Sequence, residues 1–295
     1  MERKVFQIFV ILIIYLSNVT LGLGQEKIKI LSYNVLYGLQ KDSLANIDRY
    51  VSFVKDLDPD IVATQEMNGW TQKTLESLAQ RYGHPYALQS KEEGFPTAIT
   101  SKYPLVNFKK VTENMWHSYI YAKVKGIHVF VIHFSPFSFQ KRLEEVELII
   151  AQTKEISKKE PILIMGDFNS LSEEDASQYS EDVVDAMVAQ EKKHSHIRNL
   201  NQGKIDYSVI NKLRDAGFKD SFKWLGNNFE SSLPTYKSGE SKIKKTNSGK
   251  GKRIDYLFCN EYAAKLLKKS VIIKDEKTHV ISDHYPVYVE LELKK

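Results

Sequence analysis

The run Ile162-Leu163-Ile164-Met165-Gly166-Asp167-Phe168-Asn169 sets the reading of the whole chain. Apolar, largely branched residues up to Gly166 make a short β-type run. It then stops on an acid and an amide two positions apart. In an extended chain, residues i and i+2 face the same side, so one ligand could touch both Asp167 and Asn169. Functional groups gather where a rigid strand meets a loop.

Outward from this stretch the pattern recurs. Asn34 follows Ile28-Lys29-Ile30-Leu31-Ser32-Tyr33, Glu66 follows Ile61-Val62-Ala63-Thr64-Gln65, and His133 follows Val129 to Ile132. Asp283 and His284 precede Tyr285-Pro286-Val287, and proline is tolerated at a strand's start but not in its middle, which predicts a loop rim for this pair. Strand-type runs cover Lys27 to Val35, Ile61 to Gln65, Thr97 to Ser101, Tyr119 to Val124, Val129 to Phe134, Ile162 to Gly166, Ile254 to Cys259 and Tyr285 to Leu293. Helical periodicity covers Leu44 to Leu57, Thr71 to Arg81 and Gln140 to Ser157. Strands and helices alternate early and strands crowd later. That order predicts an α/β sandwich, with mixed β-sheets face to face and helices outside.

The composition of the 295 residues, 42% hydrophobic and 27% charged, excludes a fibrous or disordered chain. A formal net charge of +5 mildly favours anionic partners. Arg3 and Lys4 lead an apolar run, Val5 to Leu16, broken only by Gln7, and Gly22-Leu23-Gly24 follows. This predicts an export signal over 1–24, since a membrane span needs about 20 apolar residues. The expected product is a secreted or periplasmic monomer with no integral span, one domain over 25–295. Cys259, the only cysteine, excludes an intramolecular disulfide and sits in an apolar run as a buried thiol. Ser172 to Asn201 is a polar, helix-prone insertion, and Ser238 to Lys252 a basic loop.

Singly, each polar strand end has a bland alternative as a turn or surface residue. Together they offer carboxylate oxygens, amides and two histidines, the inventory for hard-cation binding and hydrolysis of a phosphoester. Ser32-Tyr33-Asn34-Val35, Gln65-Glu66, Gly166-Asp167-Phe168-Asn169, Arg253-Ile254-Asp255-Tyr256 and Ser282-Asp283-His284-Tyr285-Pro286-Val287 also stand in the order of one superfamily. The mature chain thus resembles the endonuclease/exonuclease/phosphatase superfamily. The resemblance implies a four-layered α/β/β/α sandwich like pancreatic deoxyribonuclease, and Mg²⁺, or Mn²⁺ in its place, as cofactor. It implies Glu66 as metal ligand with Asn34 and Asp283 contributing to metal or phosphate binding, and His284, oriented by Asp255, as general base. Asp167 would position the water, and Asn169 and His133 would bind phosphate oxygens, with His133 also assisting the leaving group.

Departures narrow the substrate. Abasic-site endonucleases of the superfamily carry Asn-x-Tyr-x-Pro where this chain has His133-Phe134-Ser135-Pro136, and the inositol-phosphatase signatures do not match Leu171 or Gly251-Lys252-Arg253-Ile254-Asp255. The histidine looks similar to secreted nucleases and to sphingomyelinases, so a nucleic acid and a phospholipid headgroup both stay open, as do a sugar phosphate and a non-catalytic binding protein. Phe134, Phe137 and Phe139 would stack on bases or pack the loop. Lys237, Lys242, Lys244, Lys245, Lys250, Lys252 and Arg253 would attract a polyanion or form a solvated loop. His194 and His196 have metal-like spacing but read as surface residues without a third ligand.

Overall fold

The run from Ile162 to Met165 is a strand buried on both faces: Leu163 and Met165 point into an apolar layer between two sheets, Ile162 and Ile164 into a layer beneath helices. A strand covered on both sides has no polar alternation, which explains its unbroken apolar sequence. The computed structural model describes residues 26–42, 44–235 and 251–293. The export signal and the stretch from Ser238 to Lys250 of the basic loop, expected to run to Lys252, lie outside the described residues.

In chain order the strands are β1 (Glu26–Asn34), β2 (Ile61–Gln65), β3 (Tyr86–Gln89), β4 (Ala98–Ser101), β5 (Val106–Val111), β6 (Ser118–Val124), β7 (Ile127–His133) and β8 (Ile162–Asp167). They continue with a short hairpin, β9 (Leu200–Asn201) and β10 (Lys204–Ile205), then β11 (Lys219–Asp220), β12 (Asp255–Cys259), β13 (Leu267–Ile272) and β14 (Val287–Leu293). One sheet has the order β13-β14-β1-β2-β4-β3 and the other β11-β12-β8-β7-β6-β5. Each contains one parallel pair, β1 with β2 and β7 with β8, among antiparallel neighbours. The longer helices are α1 (Leu44–Leu57), α2 (Gln72–Arg81), α3 (Phe139–Thr153), α4 (Glu181–Lys193) and α5 (Ser208–Asp215).

Three apolar layers hold the sandwich. Ile28, Ile30 and Ile61 meet Val129, Val131, Leu163 and Met165 between the sheets. Leu31, Tyr33 and Val62 pack outward on Tyr50, Val54, Leu75 and Leu78 of α1 and α2. On the far side Phe130, Ile132, Ile164 and Phe258 pack on Val146 and Ile149 of α3 and Val209, Ile210 and Leu213 of α5. This is the expected four-layered α/β/β/α sandwich. Thr71 caps α2 in a capping box, so the helix begins one residue after the expected start. The polar insertion holds α4, and among the described residues no helix is long and apolar enough to cross a membrane.

Arg253 departs from expectation. Instead of extending the basic loop, it is 1% exposed and closes on Asp175 through Nε at 2.7 Å and Nη2 at 2.6 Å, and on Asp220 through Nη1. Its guanidinium lies 4.5 Å from the centre of the Tyr256 ring. Two buried carboxylates neutralise it, so it ties the insertion to β11 and β12 and offers no charge to a polyanion.

Candidate active site

The two parallel pairs end at one edge of the sandwich. Asn34 stands in register with Gln65, so Glu66 follows directly, and His133 stands opposite Asp167. Ligands of open α/β sheets gather at such carboxyl ends. β12 runs antiparallel to β8 and sets Asp255 opposite Asp167. His284 lies just before β14 in the other sheet. Asp255 and His284 therefore meet across the two sheets. His284 Nδ1 donates to Asp255 Oδ2 at 2.8 Å, which leaves Nε2 3.9 Å from both Asp167 Oδ2 and Asp283 Oδ1.

The local backbone is bent to make this junction. Glu66 has φ 62° and Asn169 φ 47°, in the left-handed region that side chains other than glycine rarely adopt. Glu66 Oε2 accepts the Tyr37 N–H at 3.1 Å and Oε1 accepts Asn34 Nδ2 at 3.1 Å. Asn34 Nδ2 also donates to Asp167 Oδ2 at 3.1 Å, while its Oδ1 accepts the Leu36 N–H. Asn34 thus turns its NH₂ to the carboxylates and braces them, while its oxygen accepts from the backbone. Asn169 also differs from the extended geometry expected. The strand ends at Asp167, whose Oδ1 accepts the Asn169 N–H at 2.8 Å in a tight turn, and Asn169 Nδ2 donates to Phe134 O at 3.0 Å. Gly166 permits the crowding: at φ 142°, a Cβ there would stand 2.0 Å from Ile132 O.

Four carboxylates, Glu66, Asp167, Asp255 and Asp283, converge with no Lys or Arg paired to any of them among the described residues. Burial raises the Glu66 pKa against the hydrogen bonds from Tyr37 and Asn34. Burial and then the charge of Asp255 raise Asp167. Burial alone would lower His284, but Asp255, then Asp167 and Asp283, raise it to about 10. Burial, with His117 and His284 nearby, holds His133 well below its usual value, so its ring is neutral. Such an excess of buried and half-buried acidic oxygens fits a hard divalent cation, which favours oxygen donors. The tightest group of ligand atoms is Asp167, Asp255 and His284, all within 4.8 Å. Asp255 and His284 are already satisfied by each other, whereas Glu66 accepts only neutral N–H groups.

His117 belongs to the site, though no motif marks it. Its ring stacks on His133 at 4.2 Å and 22°, and neither Nε2 of His117 nor Nδ1 of His133 has a protein partner. β6 and β7 are antiparallel with Ser118 opposite His133, so only strand register brings the two rings together. Glu145 of α3 fixes both segments, accepting the Trp116 N–H at 2.6 Å and the Ser135 N–H at 2.8 Å. Phe134 and Phe139, considered for base stacking, are core residues, while Phe137 is half-buried against Trp116 and His196. His194 and His196 lie 5.8 Å apart and gather no third metal ligand among the described residues.

Among solved structures, an AP endonuclease from Archaeoglobus fulgidus is similar with a TM-score of 0.68 and 21% identity, covering 90% of this chain and all of that one. A point variant of the 3′ phosphatase NExo from Neisseria, bound to a product DNA hairpin, gives a TM-score of 0.65 at 20% identity over 90% of this chain and 100% of its own. A humanized TDP2 of D. rerio gives 0.60 at 17% identity, over 90% of this chain and 99% of its own. No curated protein sequence matches the chain. The family profile described as Endonuclease/Exonuclease/phosphatase matches residues 31–284, from within β1 to His284 itself, and the chain belongs to that family.

Proposed function

We propose that the protein is an exported, Mg²⁺-dependent phosphodiesterase of nuclease type that attacks phosphorus with a water deprotonated by His284. The supporting observation is the Asp255–His284 pair, 2.8 Å apart, with Nε2 turned toward Asp167 at an edge shared with Glu66. A carboxylate can only accept, so Asp255 fixes a proton on Nδ1; a cation among the carboxylates that raise His284 would offset their charge and free Nε2 as the acceptor. Asp167 and Asn169 orient the water and the phosphate, and His133, neutral and buried, serves the phosphate and leaving oxygens. Glu66, with Asp283, would hold the cation, which neutralises phosphate charge and polarises the P–O bonds. Asn34 keeps Glu66 aimed. The Neisseria neighbour bound to product DNA supports a nucleic-acid substrate, and the apolar run after Arg3 and Lys4 supports export. The test is hydrolysis of bis-p-nitrophenyl phosphate by the mature chain. Turnover with Mg²⁺ or Mn²⁺ that vanishes in EDTA is expected; full turnover in EDTA overturns the reading.

A further inference from the structure

Four rings stand in series from solvent to the reaction centre. Tyr37, 56% exposed, lies 5.7 Å from Phe95, Phe95 lies 5.3 Å from His117, and His117 lies 4.2 Å from His133, whose Nε2 is 3.6 Å from Asp167. The loop that carries Phe95 is fixed at its neck. Ser90 N–H donates to Thr97 O at 2.9 Å, Thr97 N–H donates to Ser90 Oγ at 3.0 Å, and that hydroxyl shares a 2.7 Å hydrogen bond with Ser118, the neighbour of His117. Asn68 Nδ2 holds Gly94 O at 2.6 Å. The ring spacing is therefore set before any ligand arrives.

Lys91 shares this loop. Its Nζ lies 3.7 Å from where a Cβ on Gly94 would stand, so the side chain folds back over the loop. Among the described residues no carboxylate pairs with it, and Glu92 is engaged by the Gln72 N–H at 3.0 Å. Burial lowers the Lys91 pKa, and its charge acts on both His117 and His133. A partly dehydrated ammonium without a counter-ion, folded over Gly94 on the loop whose Phe95 ring leads to a phosphoesterase centre, matches a phosphate joined to a base.

We infer that Tyr37, Phe95 and Lys91 form a subsite for the nucleotide flanking the scissile phosphodiester, the rings stacking its base and the ammonium holding its phosphate. This rests on the phosphodiesterase reading and narrows the substrate to a nucleic-acid strand. Sphingomyelin has neither a base nor a second phosphate, and its choline cation is repelled by Lys91. His117, held between Phe95 and His133, is a positioning residue that links the subsite to the centre.

The test is the anisotropy of labelled oligothymidylate and of an abasic oligomer of equal length, titrated in EDTA with wild type, Phe95→Leu, Phe95→Tyr and Lys91→Gln, with thermal melts as a fold control. Wild type should bind the base-bearing strand about tenfold more tightly, the low end for one stacked base. Phe95→Leu should erase that preference and leave abasic affinity alone, whereas Phe95→Tyr should retain it. Lys91→Gln should weaken both ligands and flatten the log–log salt slope by about 0.7, one phosphate of a single strand. No wild-type binding, base-independent binding, affinities unmoved by Phe95→Leu and Lys91→Gln, loss of the preference in Phe95→Tyr, or preferential binding to sphingomyelin vesicles would each overturn the subsite. Wild-type hydrolysis of bis-p-nitrophenyl phosphate with Mg²⁺ separates the failures: if it persists, only the subsite is wrong, and if it is absent, the phosphodiesterase reading falls as well.

Discussion

The two parallel pairs are built alike and finish differently. In one sheet β1 and β2, joined through α1, end in Asn34 and Glu66; in the other β7 and β8, joined through α3, end in His133 and Asp167. The first end presents a carboxylate braced by neutral N–H groups, the chemistry of a cation holder. The second end stacks neutral imidazoles beside Lys91, the chemistry of an anion holder. On the proposed reading, these two similar frameworks divide a phosphodiester's needs. His284 and Asp255, one attached to each sheet, close the gap between them.

The largest effect should fall on the pair that joins the halves. His284→Ala should lower kcat about 10³-fold, within the usual range for a positioned general base, with little change in KM. Asp255→Asn should cost somewhat less, and the double variant should be little worse than His284→Ala alone because the two act as a unit. Strictly additive losses in log kcat would break the pairing. The next prediction separates the halves directly. Glu66→Gln should weaken apparent Mg²⁺ affinity by more than the roughly 10- to 100-fold that outer partners of metal ligands carry. His133→Asn should leave the Mg²⁺ midpoint in place and lower kcat/KM about tenfold, as expected for one lost hydrogen bond to a charged group. Equal metal dependence in both variants would dissolve the distinction.

Acid should expose the anion-holding half. Burial, with Lys91 nearby, lowers His117 from 6.5 to about 4, so the fold binds its neutral form. The stability tied to that neutral ring is intact above pH 6.5 and is lost as pH falls through about 4. His117→Phe keeps a ring on His133 but cannot be protonated. Its urea stability should therefore gain on wild type by up to about 3 kcal/mol between pH 7 and pH 4. A pH-independent difference would mean that His117 is not held neutral. The smallest effect concerns the bend shared by both halves. Gly166→Ala forces a Cβ onto Ile132 O and should cost about 1–3 kcal/mol by equilibrium denaturation.

The eight strand runs legible in the sequence are the interior strands of the two sheets, and β13, β3, β11 and β5, which it did not reveal, are their four edges. The physical reason is burial. β5 is almost wholly exposed and β13 is interrupted by the adjacent, exposed Lys268 and Lys269, so neither carries the unbroken apolar run of a doubly covered strand. The site followed the same rule. Glu66, His133, Asp167 and His284 stand where apolar runs stop and were legible, whereas His117 is defined only by its partner across a ladder and Lys91 only by a folded loop. The Asn34 orientation and the turn at Asn169 depend on which atoms the neighbouring backbone offers, which strand patterning does not encode.

Cys259 carries a practical consequence. Its thiol is 0% exposed in β12, packed in the layer between the sheets, and burial raises its pKa. A thiol reagent can therefore reach it only when the sandwich opens, so with no second cysteine to confuse the signal, labelling becomes a clock for the interior. A cation that binds the folded rim and not the opened chain would stabilise the closed sandwich by mass action, and it should slow that clock as its concentration rises even when no substrate is present.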